Sequence, residues 1–194
     1  MVRAMAETPE TPPETPDAEQ PKADAAPARR GPPIEVAEEV LDERGEETAA
    51  LLKRVVATYV LDSGGRGDIP WVRVAPENLV ESARRCRDDG QLGMDLLHCL
   101  LAVDYVERIE LDYILFSLKG DRKAILKVDL PPEEPAIETV GGLWEAANWY
   151  ERETHDLFGV VFTGNPDLSP LLLYEGFEGH PGLKSFPLHD YEEW

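Results

Sequence analysis

Ile109-Glu110-Leu111-Asp112-Tyr113-Ile114-Leu115-Phe116, then Lys119-Gly120-Asp121, then Lys123-Ala124-Ile125-Leu126-Lys127-Val128-Asp129-Leu130 is the stretch that sets the fold class. Ile109, Leu111, Tyr113 and Leu115 alternate with the residues between them, and so do Ala124, Leu126, Val128 and Leu130. A period of two puts each set on one side of a strand. The Gly-containing turn joins the runs into a β-hairpin with one largely apolar face. Pro131-Pro132 ends it, because proline cannot donate to a ladder.

Upstream, Met94 to Val103 is mostly apolar and short enough for a buried strand, although periodicity alone does not exclude a helix. His98 within it reads as a hydrogen-bonded core histidine. Trp71-Val72-Arg73-Val74 reads as a short strand. Pro76 stands at a helix start, with Leu79, Ala83 and Cys86 on one face. Ala49, Leu52, Val56 and Tyr59 recur at helical spacing, so a helix is expected from near Glu46. Gly64-Gly65-Arg66-Gly67 is expected to break the chain. The class is therefore α/β in the α+β sense: a mixed, mainly antiparallel sheet with helices on one face.

Residues 1–33 hold eight of the 17 prolines and a short repeat, Glu7-Thr8-Pro9, Glu10-Thr11-Pro12, Glu14-Thr15-Pro16. Such a segment buries too little apolar surface to offset its ordering entropy, so a disordered or extended tail is expected there. Residues 34–162 form the expected core domain, and 163–194 an extended C-terminal segment. That ending keeps Leu168, Leu171, Leu172, Leu173, Tyr174, Phe177, Phe186 and Trp194 without a lasting period. Chain that apolar should lie against a surface, its own or a partner's.

The formal net charge of −20 argues against nucleic-acid and anionic-lipid partners. No apolar run approaches a membrane span. Met1 to Glu10 lacks the apolar core of a secretory signal. Cys86 and Cys99, thirteen positions apart, suit neither a disulfide framework nor an iron–sulfur cluster held by this chain alone, and a reducing compartment is the default. His155, His180 and His189 make no metal-ligand spacing with them, and no Gly-rich phosphate loop is present. Cys86 reads as a small core hydrophobe.

Val140-Gly141-Gly142 precedes a helix expected over 143–157, carrying Trp144, Trp149 and Tyr150. Aromatics around most of its circumference imply two packed sides. Arg152 and Asp156, four apart, are spaced to pair on one face. Glu151, Glu153 and Asp156 admit an acid–base reading, which would make the chain a stand-alone acidic hydrolase. With Arg152 among them, a charged interface network is the preferred reading.

The run Trp149-Tyr150-Glu151-Arg152-Glu153-Thr154-His155-Asp156-Leu157-Phe158-Gly159-Val160-Val161-Phe162 resembles the hallmark of the complex I 30 kDa subunit family, the C subunits of NADH-quinone oxidoreductase. Gly164-Asn165-Pro166-Asp167-Leu168 resembles that family's GHPDL turn, and Glu178-Gly179-His180-Pro181 with Phe186-Pro187 its EGHP and Y-P elements. Leu101-Ala102-Val103-Asp104-Tyr105 resembles its hydrophobic-V-D segment. The likeness covers about residues 70 to 190. The chain departs from it at Asn165, where His is usual, at Ser169-Pro170, where basic residues are usual, and over Gly182-Leu183-Lys184-Ser185, where only Lys184 keeps the charge.

The resemblance implies a non-catalytic scaffold without flavin or cluster, FMN and iron–sulfur clusters belonging to partner subunits. It implies docking on the 49 kDa-type subunit in the hydrophilic arm of a proton-pumping NADH:quinone oxidoreductase, peripheral on the cytoplasmic side of the bacterial inner membrane. The partner interface it implies comprises Trp149, Glu151, Arg152, Glu153, Asp156, Phe158, Gly159, Pro166, Leu168, His180, Pro181 and Lys184. The alternative is the equivalent small subunit of a group 4 membrane-bound hydrogenase or a ferredoxin-linked relative.

Overall fold

The structure is a computed structural model and describes residues 40–187. The expectation for residues 1–33 and for His189 and Trp194 falls outside that range. Helix α1 runs over Glu43–Val55, three residues earlier than the apolar period suggests. Asp42 accepts from Gly45 N at 2.8 Å and so caps a first turn that the period cannot reveal. Leu52 and Val56 are fully buried.

The glycines at 64 and 65 do not break the chain. Val60–Arg66 is strand β1, antiparallel to β2, Ile69–Val74, with Gly67 and Asp68 between them as a two-residue turn. Gly67 takes the positive φ of 58° that this turn needs. Gly65 serves close approach, since a Cβ there would strike Leu41 and lie 2.7 Å from the Pro70 backbone. A glycine that reads as punctuation is here a packing requirement.

A 3₁₀ turn at Pro76–Asn78 leads into α2, Leu79–Asp88. Cys86 lies wholly buried on α2, and burial pushes its thiol up to about 12, so it behaves as a core hydrophobe. Strand β3 spans Leu96–Asp104, and the hairpin is β4, Ile109–Ser117, with β5, Arg122–Leu130. The sheet order is β1-β2-β5-β4-β3. Within this five-stranded sheet β2 and β5 pair in parallel and the other neighbours antiparallel. The alternating apolar positions of β4 and β5 share one core with α1 and α2.

His98 is exposed and not a core histidine. A bulge between Leu97 and Cys99 inserts it as an extra residue, and its carbonyl accepts from the Tyr150 hydroxyl at 2.8 Å. The opposite sheet face carries an ion-pair ladder. Lys127 reaches Glu110 at 2.9 Å and Asp112 at 3.0 Å, while Arg73 joins Glu110 at 2.7 Å and also meets Asp129.

Beyond the hairpin, β6, Ala136–Glu138, pairs in parallel with β7, Val161–Thr163. Between them lies α3, Ala147–Phe158. It starts four residues later than expected, because Leu143–Ala146 makes turns that bury Trp144 in the core beside the sheet. Among the described residues no helix or strand follows Thr163, and none of the helices is long and apolar enough to cross a membrane.

Candidate docking site

Helix α3 lies along β3 and ends at Gly159, whose φ of 75° forms a left-handed cap. A Cβ at Gly159 would come within 2.7 Å of the His180 ring, so the cap is also a seat for that ring. The chain beyond β7 turns back onto α3 and the end of β3. Polar groups of those two elements hold it there.

Glu151 is wholly buried. Its carboxylate accepts from Thr139 Oγ1 at 2.5 Å, Val140 N at 2.8 Å and Asn165 Nδ2 at 2.8 Å. Burial pushes its carboxyl above the ordinary range, and the three donors only partly oppose that. Its side chain is therefore an internal clamp and not part of an exposed interface. Asn165, which stands where the resembled family usually has His, also accepts from Asp167 N at 3.0 Å. An uncharged amide thus ties the head of the C-terminal segment to the helix.

Arg152 and Asp156 do not pair with each other. Both reach for backbone supplied from the segment, which helical spacing cannot foretell. Arg152 donates through Nε to Ser169 O at 2.5 Å and through Nη2 to Pro170 O at 2.7 Å, and stands 3.5 Å from Asp167. Its guanidinium lies 5.6 Å from the centre of the Trp149 ring. Asp156 Oδ2 accepts from three successive N–H groups, Leu171 at 3.1 Å, Leu172 at 2.8 Å and Leu173 at 2.9 Å. Burial works to raise its carboxyl, but these donors and the neighbouring His155 hold it below the ordinary range.

Further along, the His180 ring bonds the Asp156 carbonyl at 3.1 Å, and Gly182 N donates to Leu157 O at 2.9 Å. Lys184 N donates to Asp104 Oδ2 at 2.7 Å. Tyr174, Phe177 and Phe186 form a chain of ring contacts at 5.3 and 5.8 Å. A side-chain-sized cavity of about 180 Å³ remains between His155, Asp156, Leu168, Tyr174, Phe177 and His180.

Of the remaining residues expected at an interface, Phe158 and Leu168 pack partly buried against the core. Glu153 and Pro181 are half-buried and Pro166 is exposed. Trp149, Leu172 and Tyr174 point outward, at 61%, 60% and 71% exposure. Residue patterns do not mark Asp104 or the leucine N–H groups as anchors. Asp104 leaves one trace, a lone acid closing an apolar run. Backbone donors leave none. The Asp156 carboxylate is thus taken up by backbone N–H groups, and that of Glu151 by two side chains and one backbone N–H. Among the described residues no group of three or more His, Cys, Asp or Glu could hold a metal ion.

Comparison with known proteins matches residues 72–192 to the family described as respiratory-chain NADH dehydrogenase, 30 Kd subunit. The NADH-quinone oxidoreductase C subunit of Roseiflexus sp. (strain RS-1) is 43% identical over 149 residues, 73% of this chain and 85% of its own length. The second C subunit of Rhizobium meliloti (strain 1021) is 41% identical over 62% of this chain and 67% of its own. A trypsin-resistant fragment of Nqo5 (residues 1–134) is similar in structure with a TM-score of 0.54 and 31% identity, over 64% of this chain and 99% of the fragment. A chain of the membrane-bound sulfane sulfur reductase, an archaeal respiratory membrane complex, has a TM-score of 0.65 and 27% identity, over 75% of this chain and 87% of its own.

Proposed function

Because the chain belongs to the 30 kDa subunit family of the respiratory-chain NADH dehydrogenase, we propose that it is a non-catalytic docking subunit of a proton-pumping NADH:quinone oxidoreductase. It holds no cofactor of its own, and FMN and iron–sulfur clusters reside in its partners. It sits in the hydrophilic arm against the 49 kDa-type subunit and supports assembly of the quinone module. It is peripheral, on the cytoplasmic side of the bacterial inner membrane, and is held there through the complex.

One observation carries this reading. The chain fixes its C-terminal segment with its own side chains, yet the fixed surface leaves Trp149, Leu172 and Tyr174 outward. Ordering the segment beforehand lowers the entropy cost of association. Aromatic and aliphatic groups held outward on such a frame are the usual anchors of an interface. The likeness to the sulfane sulfur reductase chain supports a second reading, the equivalent subunit of another complex I-like membrane machine.

Trp149→Ala tests the docking role. The ring is mostly exposed, so the free chain should keep its stability to within about 1 kcal/mol, the loss being the contact with Arg152. Incorporation into the complex should weaken by about 2 kcal/mol, as for a central interface aromatic. Native-gel assembly compared with thermal melting separates the two. Normal assembly of the variant would remove Trp149 from the interface.

A further inference from the structure

The turn joining β3 to β4 holds a β-branched residue in a conformation that β-branched residues rarely adopt. Val106 has a φ of 71° and is 64% exposed. No burial compensates that strain, because the side chain faces water. The backbone is nevertheless held from two sides. Asp104 Oδ1 accepts from Val106 N at 2.6 Å, and Tyr105 N donates to Arg108 O at 2.9 Å. Strain that persists in an ordered turn, with its apolar side chain outside, points to use elsewhere.

Tyr105 beside it is 43% exposed, and Leu101 and Val103 of β3 are exposed as well. The guanidinium of Arg108 stands 4.3 Å from the centre of the Tyr105 ring and Lys184 Nζ 5.9 Å from it. Glu107 is an exposed carboxylate in the same turn. The second carboxylate oxygen of Asp104, Oδ2, takes Lys184 N from the C-terminal segment. A single side chain therefore fixes both the strained turn and the far end of the docking surface, so the two surfaces are continuous.

We infer that the Tyr105–Val106 turn is a second anchor of this subunit, a preset plug that enters an apolar pocket of the same neighbouring subunit that covers the C-terminal segment. The inference rests on the docking role proposed above. Continuity through Asp104 identifies the occupant as that neighbour. The exposed valine and tyrosine set the pocket's chemistry as apolar, with room at its rim for the Lys184 ammonium that stands over the Tyr105 ring.

Val106→Gly and Val106→Asn test it, since both residues accept positive φ readily. Each full-length variant is mixed with membrane complex that has been purified intact and then stripped of this subunit, and docking is measured by titration. The free chain is melted in parallel. Both variants should melt at or above the wild-type temperature, yet dock at least about tenfold more weakly. Wild-type docking by both variants would overturn the inference while leaving the docking role intact. A drop in melting temperature that matches the loss of docking would also overturn it, by making Val106 merely structural. So would a free-chain dimer that the variants dissolve, because it would assign the turn to contact with a second copy. Failure of the wild-type chain itself to dock would instead defeat the docking role.

Discussion

Asp156→Ala is expected to free the C-terminal segment while leaving the sheet core intact. The carboxylate accepts three successive backbone N–H groups. Hydrogen bonds to a charged group contribute about 1.5–3 kcal/mol each when isolated, but three on one oxygen are not additive. Leu172 is largely in water, so its freed N–H group would be resolvated. We expect about 2–3 kcal/mol of lost local order, and a comparable loss of assembly if the segment must be ordered to dock. Amide hydrogen exchange reads this directly. The N–H groups of Leu171, Leu172 and Leu173 should exchange faster, while those of the hairpin stay protected. Unchanged exchange at the three leucines would show that Asp156 does not hold them.

Glu151→Ala should be the more damaging change to the fold itself. It orphans the buried Val140 N–H, the Thr139 hydroxyl and the Asn165 amide, and leaves a void beside the core. Unsatisfied buried donors and a cavity together cost about 4 kcal/mol. Glu151→Gln retains one acceptor oxygen and should fall between. Urea unfolding measures both, and a loss below about 1 kcal/mol in the alanine variant would refute the clamp.

The two acids also act oppositely with pH. Burial raises the Glu151 carboxyl in the folded chain above its unfolded value, so its contribution is fully present below the ordinary glutamate range. That contribution is lost as pH rises through the raised value. Asp156 is depressed, so its contribution is present above the ordinary aspartate range and lost as pH falls through the lowered value. The difference in stability between wild type and Glu151→Gln should therefore shift in favour of wild type at acid pH. The difference between wild type and Asp156→Ala should shrink there.

Much of the fold is legible in the sequence because single faces obey simple periods. The β4–β5 hairpin, the buried face of α1 and the strand at Trp71 all follow alternation or helical spacing. What escapes depends on contacts between distant parts of the chain. Gly65 lies in a strand because Leu41 must cross it, and His98 is turned out by a bulge that no alternation records. Within the site, the residue types at 149–159 and 180–184 are readable, but their bonding is not. Arg152 and Asp156 are spaced to meet, yet both are satisfied by peptide groups some fifteen residues on. Glu151 reads as one acid of a charged interface network, because the sequence shows only its charged neighbours on the helix. Its burial follows from donors on both sides of α3, Thr139 and Val140 before it and Asn165 after it, that meet only in the folded chain.

A docking subunit of this shape requires that Trp149, Leu172 and Tyr174 be covered by another polypeptide in the assembled enzyme. Hydroxyl-radical footprinting of the free chain and of the intact membrane complex measures that cover side chain by side chain. All three should be oxidised readily in the free chain and become strongly protected in the complex, whereas exposed Leu61 on β1 serves as an internal reference in both. Equal oxidation of Trp149, Leu172 and Tyr174 in the two samples would contradict the docking role.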